Sequence, residues 1–372
     1  MSIKIKVIAS MVIVLFLGTI ALVFIANKNY DNSVAILGNE TLHGALQAFT
    51  QLEQSDVKML SAVSVALRTN DAIGKAYADR KRDEVYALAT PIYKELKEQY
   101  GITHWNLIDA PPNNVIFARL SKPELFNDTV KRNTYLDAVK TGTLTFGKEV
   151  GKTGFVLRTV APFMYKGKLI GYQEIGEDID KFFKLIKKQM NSDVALIVDK
   201  KYLSHKEWQS TQASKHLADN WDAFKSNLVV SNTSETTSML PMDISVTDVP
   251  EGGSILGVIE QNGKVFQRSL FPVQDASHRT VGCVMIVQDI SAISAEMKGT
   301  RSMLILFTIV LSIILCALII ALLYLLVFNR LNRMIEMITR VVGGDVGYVT
   351  KETDEIGRFE AQIVEVLRSL LG

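Results

Sequence analysis

Three arginines and two glutamates carry the chemistry this sequence can offer. Arg119, Arg132 and Arg158 lie within one stretch of the chain, interleaved with and followed by Glu149 and Glu174. A guanidinium presents a planar fork of N–H donors that matches a carboxylate or another planar anion. Trp105, Phe117 and Tyr135 are the aromatic residues near enough in sequence to wall a small-molecule pocket. The same residues also allow a plainer arrangement, in which Arg119 pairs with Glu149 and Arg158 with Glu174 as ion pairs between neighbouring strands. His104 sits inside an apolar run and reads either as a structural histidine or as a group titrating near neutrality. The histidines at 43, 104, 205, 216 and 278 have no metal-ligand spacing, and no Cys-x-x-Cys-His is present. No nucleophile elbow, phosphate-binding loop or Rossmann glycine run occurs either. The expectation is binding without a catalytic residue, cofactor or metal, in a chain that is not an enzyme.

Whether those side chains meet depends on the elements that carry them. Gly154–Ile179 reads as two strands around a Lys166-Gly167-Lys168 turn, rich in β-branched and aromatic residues. The pattern returns at Lys264–Ile290. Arg158, Pro162, Gly171, Asp178 and Ile179 match Arg268, Pro272, Gly282, Asp289 and Ile290, with only the turn differing, by one residue. Five positions in register imply two related modules in tandem. Arg268 lacks the charged company of Arg158, so the second module is expected to transmit rather than bind.

Two uncharged apolar runs bracket the modules. Val7–Ala26 and Met303–Asn329 are each long enough to cross about 30 Å of hydrocarbon as a helix. The first lacks a small-x-small cleavage site after it and reads as an uncleaved anchor rather than a signal peptide. Lys4 and Lys6 precede it and only Lys28 follows closely. Arg330, Arg333 and Arg340 follow the second run, against Lys298 and Arg301 before it. This bias puts both termini in the cytoplasm and Asn27–Ser302 outside. The chain has 372 residues, a net charge of +2 and no basic tract, so nothing points to nucleic acid. Its two cysteines, Cys283 and Cys316, fall in the second module and the second run and cannot pair with each other.

No proline precedes Pro91, which favours a long first helix through Thr69 with Leu42, Leu46, Phe49, Leu60, Val63 and Leu67 on one stripe. A break follows near Asp71 and Gly74, then a helix over Arg82–Tyr100 stopped by Gly101. A hairpin around Pro111-Pro112-Asn113-Asn114, a short helix through Tyr135 to Val139 capped by Asp128, and TLTFGKEVG complete the first module. Asp180–Met190 is a connecting helix. Asp193–Val198 opens the second sheet, His205–Lys225 reads as helical, Ser231–Ser238 as a polar loop, and Gln261-Asn262-Gly263 as a hairpin turn. The fold class is α+β.

After the second apolar run, Leu331, Ile335, Ile338 and Val342, and then Ile356, Phe359, Ile363, Val366 and Leu370, keep heptad spacing. Helices this short are marginal alone, which predicts a parallel four-helix bundle from two chains, a homodimer. With Gly344-Asp345 ending the first helix and Asp354-Glu355-Ile356-Gly357 starting the second, this segment resembles a HAMP linker, although Asn329-Arg330-Leu331 stands where a proline is usual. The resemblance implies signalling roles for Asp345, Asp354, Glu355 and Gly357.

The external region, from about Asn29 to Ile290, resembles a double Cache sensor. The matching residues are His104…Leu107, Phe117…Arg119, Asp128…Arg132, Gly147-x-Glu149-x-Gly151, Gly154…Arg158, Pro162, Gly171 and Glu174…Gly176. The resemblance implies two PAS-like sheets on one long helix. It adds Asp128 to the site and brings Arg119, Arg132, Arg158, Glu149 and Glu174 to one face, with His104, Trp105, Phe117 and Tyr135 around them. The expected organisation is a cytoplasmic N-terminus over 1–6, spans over 7–26 and 303–328, a sensor over 27–302 with modules at about 70–180 and 191–290, and HAMP over 329–372. The expected function is a two-span inner-membrane receptor for chemotaxis, in contact with membrane lipid and a cytoplasmic output partner. No methyl-accepting, kinase or cyclase segment follows within this chain. It therefore also reads as the sensory half of a histidine kinase or cyclic-dinucleotide enzyme, or as an anchored binding or assembly protein without its own output.

Overall fold

A computed structural model describes residues 3–151, 153–234, 244–343 and 355–371. The chain divides into a compact unit, Val34–Ser294, and a second unit formed by the chain on either side of it. Helix α1 runs from Ile3 to Arg68, a stretch without proline or an internal stop. Within the compact unit Leu42, Ala45, Phe49, Leu60 and Leu67 are buried, spaced so that they form one stripe of the helix. Asn70 then caps α2 (Asp71–Ala78) by accepting from the Ile73 N–H at 3.1 Å. Helix α3 covers Arg82–Tyr100, and Gly101 ends it in the left-handed conformation that a side chain disfavours.

The first sheet holds β1 (His104–Ile108), β2 (Ile116–Arg119), β3 (Thr145–Val150), β4 (Phe155–Tyr165) and β5 (Lys168–Asp178) in the order β2-β1-β5-β4-β3. Helix α4 (Asn133–Thr141) precedes β3, and α5 (Asp180–Met190) leads on. The second sheet repeats the order as β7-β6-β10-β9-β8, with β6 at Ser192–Asp199, β7 at Asn227–Asn232, β8 at Ser254–Gln261, β9 at Lys264–Gln274 and β10 at Thr280–Asp289. The repeat holds at the level of register. Arg158 lies opposite Gly176 and Phe163 opposite Gly171; Arg268 lies opposite Val287 and Val273 opposite Gly282. Both two-residue turns, Lys166-Gly167 and Asn262-Gly263, have positive φ at both positions, the mirror-image turn whose twist suits a hairpin.

Two expectations need correction. The helix expected over 205–225 stops at Ser214 as α6 (His205–Ser214), and the chain then makes an edge strand, β7, that its short apolar segment Leu228-Val229-Val230 did not announce. Helix α4 is capped not by Asp128 but by Arg132 at the cap position, with Glu149 accepting from the Thr134 N–H at 2.8 Å.

One apolar core lies between α1 and the inner faces of both sheets, built around Phe49, Phe182, Phe183 and Phe271. The outer face of the second sheet is closed by Ala195, Ile197, Leu270, Cys283 and Met285 with Val246. In the other unit, α7 (Ser291–Leu322) continues through a π-helical turn, Leu323–Phe328, into α8 (Asn329–Val342). By length and composition α1 and this second helix can each cross a membrane. The Thr19 and Ser312 hydroxyls lie 2.6 Å apart, and Lys4 donates to Asn332 Oδ1 at 2.7 Å. Helix α8 packs on α9 (Glu355–Leu371) through Met337, Ile338 and Val364. Of the heptad residues, Leu331, Ile335, Val342, Phe359 and Val366 are exposed in the single chain. Gly344, Asp345 and Asp354 lie outside the described residues, as do the side chains of Glu355, Ile356 and Leu370; Gly357 is buried in α9.

Candidate ligand site on the first sheet

The outer face of the first sheet carries the charged residues, and the strand register explains which ones meet. Arg119 on β2, Asn106 on β1 and Glu174 on β5 form one cross-strand row. His104, Gly176, Arg158 and Gly147 form the next. A Cβ on Gly176 would stand 3.3 Å from the Arg158 Cγ, and one on Gly147 would stand 2.8 Å from the Ala276 Cβ, so the Gly147 end of the row is covered by Ala276. Arg132 enters from the start of α4.

Glu174 is the centre of the arrangement and is fully buried. Its Oε1 accepts from Arg158 Nη1 at 2.6 Å and from Asn106 Nδ2 at 2.7 Å. Its Oε2 accepts from Arg132 Nε at 2.9 Å and Nη2 at 2.6 Å, two donors of one guanidinium converging on a single oxygen. Burial opposes the charge, but Arg132 and Arg158 outweigh it and bring the carboxyl down to about 2. Burial, with Arg158, Arg132 and Arg119 nearby, pushes His104 down to about 3 despite the pull of Glu174. His104 is therefore neutral at physiological pH, and its Nδ1 lies 2.8 Å from the Thr103 hydroxyl.

Arg119 pairs with Asp128 at 2.6 Å, and Asp128 is itself 59% exposed, so the expected Arg119–Glu149 pair does not form. Glu149 is taken up by the N-terminus of α4, where backbone N–H groups favour a carboxylate. The expected Arg158–Glu174 pair is present. Tyr135 is on the outer face, buried with Ile108, Val160 and Tyr172, and its hydroxyl is 2.7 Å from Asn114 Oδ1 and 3.0 Å from the Asp109 carbonyl.

Trp105 and Phe117 belong to the core on the other face. For Trp105 the reason is alternation: its neighbours His104 and Asn106 point outward, so it points inward. Phe117 is turned by a register shift opposite Leu107 and Ile108, and its ring meets Tyr77 at 5.0 Å. Asn106, which donates to Glu174, is the member of this cluster that sequence reasoning passed over. Its signal was present, since it stands two residues after His104 and must share that face. Three buried polar atoms here have no hydrogen-bond partner among the described residues: Arg119 Nε, Arg158 Nε and Asn106 Oδ1.

Residues 39–294 match the family model dCache_3, a double sensory domain of two-component sensor kinases. The chain belongs to this double Cache family. Solved structures similar to it are sensory domains. The Campylobacter jejuni chemoreceptor Tlp3 with isoleucine bound has 12% identity and a TM-score of 0.41, covering 72% of this chain and 96% of that one. The periplasmic domain of Vibrio cholerae LuxQ has 11% identity and a TM-score of 0.36, covering 70% and 99%. The sensor domain of the V. cholerae histidine kinase DctB has 10% identity and a TM-score of 0.40, covering 69% and 98%. Comparison with curated proteins gives no match in sequence.

The two Cache modules differ where their register makes them comparable. The positions of Glu174 and Asn106 in the first correspond to Met285 and Ala195 in the second. The position of Gly176 corresponds to Val287. The Asn106–Glu174 row of the first module is therefore apolar in the second, while the next row keeps Arg268, with Asp193 at the position of His104.

Proposed function

We propose that the chain is a two-span receptor whose first, membrane-distal Cache module takes a small anion, most simply a carboxylate. What supports this reading is a set of leftover donors on the outer face. Arg119, Arg132 and Arg158 pair with Glu174 and Asp128, while Glu149 and Asp178 act on Arg158 without pairing with it. The Nε–H donors of Arg119 and Arg158 are left over, with His104 neutral between them. Leaving buried donors unpaired costs about 1–3 kcal/mol each, which an acceptor on a ligand removes. Glu174 and Glu149 act as positioning residues: one splays the two guanidinium forks, the other fixes the helix that delivers Arg132.

The membrane arrangement follows from charge. Lys4 and Lys6 flank one apolar run and Arg330, Arg333 and Arg340 the other, which supports cytoplasmic termini and an external sensor. The domain limits proposed are spans over 7–26 and 303–328 and a HAMP linker over 329–372, relaying to a cytoplasmic output in chemotaxis or, as the second reading, in a sensor kinase. For the ligand to reverse a 1:99 population it must prefer one state by about 5.5 kcal/mol.

The test is titration calorimetry on the full chain in lipid nanodiscs against monocarboxylates, dicarboxylates, amino acids and purines. A carboxylate is expected to bind. Arg119→Ala and Arg158→Ala are each expected to weaken it at least about tenfold, the scale of one lost hydrogen bond to a charged group. A confirmed ligand whose affinity survives both substitutions places the site elsewhere.

A further inference from the structure

Strand β5 carries a second buried carboxylate on its inner face, three residues after Glu174. Glu177 is fully buried, and Lys181, in the first turn of α5, donates to its Oε2. The same ammonium lies 2.6 Å from Asp56 on α1. Lys148 of β3 stands in the same cross-strand row as Glu177, across Leu157, and pairs with Glu53, one turn before Asp56 on α1. Glu177 Oε1 is buried with no hydrogen-bond partner among the described residues.

Among the described residues, no other element brings an ion pair to this joint. Strand β4 contributes Leu157. The end of α3 reaches it at Gly101, whose open side faces the Lys181 stem, while the Tyr93 hydroxyl of α3 is spent on the Thr103 carbonyl at 2.8 Å. On α5, Asp180 interacts with Asp178, Lys215 and Lys184 instead. The aromatic neighbours are Phe49, with Lys148 5.8 Å from its ring centre, and Phe182, with Lys181 5.9 Å from its own. Three carboxylates, Glu53, Asp56 and Glu177, therefore share two ammonium groups. Fully ionised, the cluster holds one negative charge too many in a place where an uncompensated charge is costly. One proton cures the imbalance and also supplies the donor that ties Glu177 to Asp56.

We propose that this joint between α1, β5 and α5 is a proton-binding site, and that losing the proton at mildly alkaline pH loosens α1 from the first module. The charge state agrees: burial, then the neighbouring Asp56, push the Glu177 carboxyl up to about 8 against the pull of Lys181. Because that value is raised above the ordinary 4.5, the folded protein keeps a proton that the unfolded chain loses, and the stabilisation drains away as pH rises from 4.5 to about 8. Ligand and proton would then act on opposite faces of one strand, and the proton face touches the helix that continues toward the first apolar run.

Infrared pH-difference spectra of the full chain in nanodiscs test this directly. A protonated-carboxyl band is expected to disappear between about pH 7 and about pH 9 in the parent and to be missing in Glu177→Gln. Nitroxides on Lys58→Cys and Lys168→Cys, with Cys283→Ala and Cys316→Ala, report the distance from α1 to the first hairpin. That distance is expected to change over the same interval in the parent, and to keep its low-pH distribution in Glu177→Gln and in Asp56→Asn. A parent without the band, a parent distance that ignores pH, or substituted chains that still follow pH like the parent would overturn the proposal.

Discussion

At the scale of residues, the Glu174 carboxyl sits at about 2, below its ordinary 4.5, because Arg132 and Arg158 overcome the cost of its burial. A depressed carboxyl contributes stability that is complete above 4.5 and lost as pH falls toward 2, here on the order of 3 kcal/mol. Glu174→Gln is expected to flatten that acid limb in thermal melts of the full chain and to cost about 3–5 kcal/mol at neutral pH, since the buried Arg158 and the half-buried Arg132 lose their counter-charge. Equal acid sensitivity in parent and variant would mean that Glu174 is not the anchor. This pair was legible in the sequence because Arg158 and Glu174 fall on two strands of one hairpin. Glu149 was not, since its partner is a backbone N–H of α4, and nothing in side-chain type announces a cap delivered from another element. Trp105 was misplaced for want of a rule already in hand: alternation from His104 and Asn106 sends it inward.

Elements were read from turn chemistry and periodicity, and these succeeded where a residue type has one structural meaning. Gly101 ended α3, Asn262-Gly263 made a hairpin, and the tandem repeat survived as identical register. They failed at β7, an edge strand whose three apolar residues Leu228-Val229-Val230 run directly into the polar Ser231-Asn232, and at Phe117, re-aimed by a register shift that no spacing reveals. The repeat also explains its own glycines. A Cβ on Gly171 would stand 2.5 Å from the Ile108 carbonyl oxygen and strike the Tyr77 hydroxyl that donates to it; a Cβ on Gly282 would stand 2.5 Å from the Ile197 carbonyl oxygen. Both are contacts with backbone of the adjacent strand and cannot be relieved by rotating a side chain. Gly171→Ala and Gly282→Ala are each expected to cost about 1–3 kcal/mol, while Gly252→Ala, with nothing near its Cβ, stays within about 0.5 kcal/mol. Melting temperatures of the three variants decide it, and a Gly171→Ala chain as stable as the Gly252→Ala chain would refute the close-packing argument.

For the whole molecule, the question is how one chain covers the apolar surface at its C-terminal end. Helices α8 and α9 meet through Met337, Ile338 and Val364, while Ile335 is 63% exposed and Phe359 56% exposed. Residues spaced for a seam but left in water are costly, and a second copy of the same pair of helices would bury them in a parallel bundle. A receptor built this way has a use for the bundle, because a ligand that biases one sensor state can be read out only through a structure with two packings of similar energy. The expectation is specific to position. In membranes, Ile335→Cys in a Cys283→Ala, Cys316→Ala background should form a disulfide-linked dimer under mild oxidation, and Arg340→Cys, whose side chain is 59% exposed beside Glu336, should do so far less. A seam cysteine stays close to its symmetry mate, whereas an outward one meets a partner only by collision. Adding a ligand confirmed by calorimetry should then change the crosslinking rate at Ile335→Cys but not at Arg340→Cys. Equal rates at both positions would remove the parallel bundle from the account and leave the exposed heptad residues for some other partner to cover.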